Sequence, residues 1–314
     1  MNTVILIVGP TGCGKTELSV RLAKKMGAEI ISCDSMQVYK GLDIGTAKVT
    51  KEEMDGIPHH LIDIKSPFES YSVSDFCIDA KMAAKEIFDK GKIAVMVGGT
   101  GLYADSFIKD IDYSGGASSD EAIREELSLF ASQNGAHALH EQLCEIDPES
   151  AEAIHENNIK RVIRAIEYYR ITGETISEHN KMTKDKPSPY KYVYIFLTRN
   201  RDELYDRIDK RVDLMMQKGL LFEVWTLHMM GLGKNHTSMQ ALGYKELVWY
   251  IEGKCTLSEA VRILKRNSRR YAKRQLTWFG RNKEANVVNL SDFENSDDVT
   301  GRVIDILSQN GVIF

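Results

Sequence analysis

Residues 9–16, GPTGCGKT, have the types and the spacing of a phosphate-binding loop. Gly9, Gly12 and Gly14 let the backbone turn its N–H groups inward around an anion. The helix that follows adds the partial positive charge of its N-terminus. Lys15 is placed to reach an outer phosphate, and the Thr16 hydroxyl to ligate Mg²⁺. Pro10, Thr11 and Cys13 fill the remaining loop positions; Cys13 sits where many small residues fit and is given no chemical role. The loop predicts capture of a di- or triphosphate. It leaves open which one, and what becomes of it.

Such a loop works only between a strand and a helix. The β-branched run VILIV at 4–8 supplies the strand, and 15–26 the helix. Further strands are predicted at 29–33 and 93–97, with helices at 74–90 and from 101, each crossover being long enough for a parallel βαβ unit. Asp34 directly follows the second strand. Ligands in open α/β sheets sit beyond the carboxyl ends of the strands, so Asp34 should face the crevice that holds Lys15 and Thr16. A carboxylate there can ligate Mg²⁺, orient an acceptor or take its proton; the plainer alternative is a cap for the segment starting at Ser35. The 93–97 strand runs into GGTGLY, without the acid with which many P-loop NTPases hold Mg²⁺. No water-activating carboxylate for nucleotide hydrolysis is evident. The loop and Mg²⁺ would instead suit a diphosphate leaving group, whose departing charge they can stabilise.

The βα pattern breaks at SGGASS, 114–119, a flexible linker by composition, and resumes after the stiff Pro187-Ser188-Pro189. Between them helices are predicted at 120–134, 136–146, 149–156 and 158–172, with a break at Asp147-Pro148. A strand at 192–197 follows, then helices near 201–218, 219–230, 240–252 and 256–279, a strand at 287–290 and a helix at 296–309. The expected fold class is therefore α/β, a P-loop NTPase-like parallel sheet flanked by helices, with an inserted all-helical domain. Residues 1–114 and 188–314 would form the core with its C-terminal basic helices, and 115–187 the insertion.

At 314 residues, 43% hydrophobic and 27% charged, the chain has the composition of an ordinary globular protein. Its short N-terminal apolar run ends in the loop and follows no basic leader, so neither a signal peptide nor a membrane span is expected. Five cysteines without CxxC spacing read as reduced thiols of a cytosolic protein. His59 and His60, adjacent in a predicted loop, lack the partners of a metal site. The net charge of −4 conceals a basic block: residues 261–283 hold nine Lys/Arg and no acid. Arg269, Arg270 and Lys273 lie within it, and Tyr271, Trp278 and Phe279 interleave. Cations mixed with aromatics suit a nucleic acid, by phosphate pairing and base stacking; a solvated helix face is the alternative. Lys160, Arg161 and Arg164, spaced around Val162, Ile163 and Ile166, leave the same two options open.

GPTGCGKT (9–16), SCDSMQVYKGLDIGTAK (32–48), PHHLID (58–63), YSVSDF (71–76), VGGTGLY (97–103), NIKRVIRAIE (158–167), RVDLMMQKGLLFEV (211–224), MQALGYKE (239–246) and RRYAKRQLTWF (269–279) follow one another over nearly the whole chain. In type and order these segments resemble the tRNA dimethylallyltransferase family. DSMQVYKGLDIGTAK is far more specific than the P-loop. The resemblance implies transfer of a dimethylallyl group from dimethylallyl diphosphate to N6 of the adenine immediately 3′ of the anticodon, in tRNAs reading codons that begin with U, with release of pyrophosphate. It also implies roles. Asp34 matches the general base; Thr11 and Thr100 lie near the acceptor end of the site; Arg211 matches an arginine near the diphosphate. Asp34, Ser35, Met36 and Gln37, and Lys160, Arg161, Val162, Ile163 and Arg164, match tRNA-contacting segments, as Arg124 does approximately. The insertion would then clamp the anticodon stem-loop. Two features depart from the pattern: Gly280 stands where members often carry Arg, and the Cys/His set of the eukaryotic C-terminal zinc finger is missing, so the chain reads as a bacterial form.

Two other readings share the loop. A transferase acting on free adenylate would have the same loop and base but no use for the insertion or the basic block. A P-loop kinase, or a nucleotide-gated RNA-binding protein, would need nucleotide turnover or a nucleotide-dependent affinity change. The resemblance favours the tRNA enzyme, acting with Mg²⁺ as a cytoplasmic monomer.

Overall fold

The computed structural model describes residues 2–111, 120–184 and 187–313, without the side chains of 182–184. The predicted linker at 114–119 lies outside the described residues. The chain forms two compact units, Met1–Ile108 with Tyr190–Phe314, and Lys109–Pro189.

The first unit opens with β1 (Thr3–Val8), α1 (Lys15–Met26), β2 (Glu29–Ser32), α2 (Lys51–Met54), β3 (His59–His60), α3 (Val73–Asp89), β4 (Ala94–Gly98) and α4 (Gly101–Ile108). Residues 4–8 of β1 are fully buried. A central parallel strand is covered on both faces, so its sequence runs apolar without alternation. Each such side chain contributes about 1.5–3 kcal/mol on burial. α1 buries Leu18, Val20, Leu22 and Ala23, and α3 starts from a reciprocal capping box between Ser72 and Asp75.

The helical unit comprises α5 (Glu121–Ile146), α6 (Pro148–Ala153), α7 (Ile159–Thr172) and α8 (Ile176–Lys184). The division predicted at 135 is present, because Gly135 breaks α5 with φ 88° and ψ 164°. α6 begins with Pro148 in its first turn and the Asp147 side chain on the Ser150 amide. Leu127, Leu139, Leu143, Val162, Ile163 and Ile166 pack into this unit's own core. α8 was missing from the expected helices.

The chain then adds β5 (Lys191–Thr198), α9 (Arg201–Gln217), α10 (Leu220–Met229), α11 (Tyr244–Ile251), α12 (Leu257–Phe279), β6 (Asn286–Asn289) and α13 (Ser296–Gln309). Six parallel strands stand in the order β3-β2-β4-β1-β5-β6. The expected loop at His59-His60 is corrected to the edge strand β3. There His60 Nε2 pairs with Glu29 at 2.9 Å, and Lys90 and Lys92 join it. Burial works against the Glu29 carboxylate, yet the hydrogen bonds of Lys92, His60 and Lys90 hold it at about 2. That cluster lies at the start of β2, away from Asp34, which follows its end.

No helix among the described residues is long and apolar enough to cross a membrane.

Candidate active site

The phosphate-binding loop leaves β1 at Val8 and enters α1 through Gly14, whose φ of 109° a side chain would resist. The Lys15 ammonium donates to the Gly9 and Pro10 carbonyls at 3.0 and 2.8 Å, at the mouth of the loop. Cys13 is fully buried in the sheet core, and its carbonyl accepts from Arg199 Nε at 3.1 Å. Arg207 Nε donates to the Gly12 carbonyl at 3.0 Å. Neither arginine stood out in the sequence, where each is one cation among 41.

A cavity of about 1110 Å³ opens beside the loop. Thr11, Gly12, Gly14, Lys15 and Thr16 line it from the loop and first helical turn. Asp34, Ser35, Met36 and Gln37 line it from the segment after β2, and Arg211 from α9. Of the loop residues named from sequence, Gly9, Pro10 and Cys13 stand behind this wall.

Asp34 plays the plainer of its expected roles, holding the segment that starts at Ser35. Its Oδ1 accepts the Met36 and Gln37 amides at 2.9 and 3.3 Å, an Asx turn that fixes the carboxylate plane. Thr100 secures the same segment: its hydroxyl accepts the Ser35 amide at 3.1 Å. The approach of the two turns is tight at Gly98, where an added Cβ would lie 2.0 Å from the Cys33 carbonyl oxygen. Burial draws the Arg211 guanidinium below arginine's ordinary value, which the neighbouring Asp34 charge opposes; it stays cationic.

α12 forms the far wall. Leu264, Ser268, Tyr271 and Gln275 recur at helical spacing and all line the cavity. Gln275 is 5% exposed and joins the two glycine turns. Its Oε1 accepts the Thr11 amide at 2.9 Å, and its Nε2 donates to the Gly99 carbonyl at 2.8 Å. The 3.6-residue period of that stripe was the signal by which Gln275 could have been found. Burial, and then the Asp34 charge, push the Tyr271 phenol up to about 12.

The basic block divides. Arg269 pairs with Asp209 at 2.6 Å, Lys265 with Asp213 and Arg262 with Glu259, so these cations already have internal partners. Arg270 and Lys273 are exposed on the same helix. The expected aromatic stacking surface is corrected at two of its three residues. Phe279 is 1% exposed in the core, and Trp278 donates its indole N–H to Asp105 at 2.8 Å with its ring against Gly101.

In the helical unit, Lys160 and Arg161 are exposed. Arg124 and Arg164 converge on Glu167, which is fully buried, at 2.8 and 2.9 Å. Val162 and Ile163 are corrected to core residues, since packing removes their side chains from any RNA-facing position.

The Thr16 hydroxyl and the Asp34 carboxylate both line the cavity, and both are hard oxygen donors of the kind that Mg²⁺ takes. Among the described residues no group of three or more His, Cys, Asp or Glu could hold a metal by itself. Mg²⁺ in phosphate sites does not require one, since phosphate and water supply most of its ligands.

Sheet order and the glycine loop between β1 and α1 together define a P-loop-like α/β protein. The IPP transferase family profile matches residues 37–283. The tRNA dimethylallyltransferase of Lachnoclostridium phytofermentans is 47% identical over 313 residues, covering 100% of both chains. Among solved structures, a tRNA isopentenylpyrophosphate transferase from Bacillus halodurans superposes with TM-score 0.74 at 46% identity, covering 99% of this chain and 98% of that one. A eukaryotic dimethylallyltransferase acting on tRNA gives TM-score 0.83 at 28% identity over 98% of this chain and 80% of its own. The chain belongs to the IPP transferase family.

Proposed function

We propose that the protein transfers the dimethylallyl group of dimethylallyl diphosphate to N6 of the adenosine 3′-adjacent to the anticodon, in tRNAs reading UNN codons. One observation carries this reading: the diphosphate loop and the fixed Asp34 carboxylate face the same cavity. An exocyclic adenine amine is a weak nucleophile, because its lone pair is delocalised into the ring. Asp34 accepts its hydrogen bond and takes its proton as the nitrogen attacks the allylic carbon. The new N–C bond forms as the C–O bond breaks, and the electron pair leaves with pyrophosphate. Loop amides, Lys15 and Arg211 receive that growing charge. Thr16 would hold Mg²⁺, which when bound supplies further charge stabilisation to the leaving group.

The target base is stacked in its loop and must be turned out, at a cost on the order of a few kcal/mol. Single-stranded loops suit this kind of reading because their bases can be splayed. The insertion, with Arg124, Lys160, Arg161 and Arg164, would clamp the anticodon stem-loop, and Arg270 and Lys273 would meet phosphates. The protein would work as a cytoplasmic monomer.

The basic helix can be tested apart from the chemistry. Arg270→Glu with Lys273→Glu is expected to weaken tRNA binding and to flatten its salt dependence, by about 0.7–0.9 in log–log slope for each phosphate no longer neutralised. An unaltered slope would return these residues to a solvated face. The same reversal at Arg269 should instead disturb the Asp209 pair.

The reaction is tested by mixing protein, Mg²⁺ and labelled dimethylallyl diphosphate with an anticodon stem-loop or with free AMP. Label should enter the RNA and disappear from it when the target adenine becomes guanine. Label entering AMP alone would move the protein to the small-molecule class.

A further inference from the structure

We infer that Glu223 is a positioning residue for this reaction, acting through the loop at 43–47; the inference rests on the transferase reading above. Three successive backbone amides form a concave anion cradle. Here the cradle is made by Asp43, Ile44 and Gly45, and a carboxylate from the distant helix α10 fills it. Glu223 Oε2 accepts the Asp43 and Ile44 amides at 3.0 and 2.7 Å. Its Oε1 accepts the Gly45 amide at 3.0 Å and the Tyr244 hydroxyl at 2.6 Å. Four donors on two oxygens match what an ionised carboxylate can take, and charge-assisted bonds of this kind are the strong ones.

Tyr244 backs the arrangement sterically. It is fully buried, and an added Cβ at Gly45 would lie 2.4 Å from its ring. Burial, and then the Glu223 charge, raise its phenol well above the ordinary range, so it remains a hydroxyl donor.

The loop carries this anchoring into the cavity. The Thr46 carbonyl accepts Arg211 Nη2 at 3.5 Å and Gln37 Nε2 at 3.4 Å, and the Ala47 carbonyl accepts Gln37 Nε2 at 3.4 Å. Gln37 in turn donates its backbone N–H to Asp34 Oδ1. These bonds stand at the long limit of hydrogen bonding, so a small loop displacement would break them. Arg211 and Gln37 flank the proposed leaving group and base. A misplacement of about 1 Å at such a site can reduce rate by roughly 10²-fold.

Glu223 itself is not a core residue. It is partly exposed, between Phe222 at 71% and Trp225 at 45% exposure. The end of the loop has a separate anchor, Lys48 Nζ on the Tyr39 carbonyl, Asp43 and Asp63. Removing the Glu223 carboxylate should therefore loosen 43–47 and leave the sheet folded.

The test compares wild type with Glu223→Gln and Glu223→Ala in full-length protein. Transfer to the anticodon stem-loop and amide hydrogen exchange would both be read. Gln keeps the size but places an NH₂ where a carboxylate oxygen accepts. Exchange at residues 43–45 is expected to rise in both variants, with β1 and β4 still protected. kcat should fall roughly 10- to 100-fold in Glu223→Ala and less in Glu223→Gln, while KM for the RNA moves less than about threefold. Free exchange at 43–45 with kcat unchanged would overturn the inference. So would a kcat decrease that tracks weakened protection across the whole sheet, which would make Glu223 a structural support. If wild type itself fails to transfer the group, the underlying transferase reading falls, a result distinct from either.

Discussion

Asp34→Asn should slow group transfer by ~10²–10⁴-fold with tRNA binding largely retained, the usual consequence of losing a general base. The substitution is well matched to the site. An Asn oxygen can still accept the Met36 and Gln37 amides that now hold Oδ1, so the Asx turn and the segment it organises should persist. What goes is the capacity to take the proton. Neighbouring groups are poor replacements. The Tyr271 phenol, pushed up to about 12 by burial and the Asp34 charge, remains protonated. Burial raises the Cys33 thiol well above its ordinary value, so it too stays protonated. Glu53 is engaged at the start of α2, where it accepts the Thr50 amide at 2.9 Å. The rate should be read in a single turnover, so that product release does not mask the chemical step. A near-normal single-turnover rate for Asp34→Asn would refute the base assignment.

The features legible in the sequence are those whose physical cause is local. A five-residue apolar run before a glycine loop can be little else than a central parallel strand feeding a helix, and β1 and α1 follow that pattern. Asp34 was legible for a topological reason, since the carboxyl end of a neighbouring strand must open onto the same crevice. The features that escaped depend on distance or brevity. β3 is two residues long and α2 four, too short for any period to show. Gln275 is 264 residues from the Thr11 amide it accepts, and Glu223 is 180 residues from the Asp43 amide in the loop it holds. Val162 and Ile163 mislead for the opposite reason. A motif marks a segment as shared, whereas burial decides which of its side chains can reach a partner, and here the apolar pair turns inward. The basic block shows the same limit, because charge counted along the chain does not reveal that Arg269, Lys265 and Arg262 already face carboxylates.

Lys15→Ala should weaken capture of dimethylallyl diphosphate by about 10- to 150-fold, the equivalent of one charge-assisted interaction of roughly 1.5–3 kcal/mol. The Lys15 ammonium sits within the loop on the Gly9 and Pro10 carbonyls, a short reach from any anion cradled by the loop amides. Those amides and the α1 terminus remain in the variant, so binding should weaken and not vanish. Arg is not a conservative rescue at this position. Its planar fork is larger than an ammonium and cannot sit between the same two carbonyls as a point charge. The decisive comparison sets Lys15→Ala beside Asp34→Asn. Affinity for the diphosphate, measured without RNA, should fall in the first and hold in the second. The single-turnover rate at saturating donor should fall sharply in the second. In Lys15→Ala it should also fall to the extent that the ammonium holds the leaving group's new charge more tightly than the substrate's. A variant with wild-type affinity for the diphosphate would remove Lys15 from donor binding. Equal losses of affinity in both variants would mean that Asp34 helps hold the donor, for instance through a shared Mg²⁺, and that its carboxylate does more than take a proton.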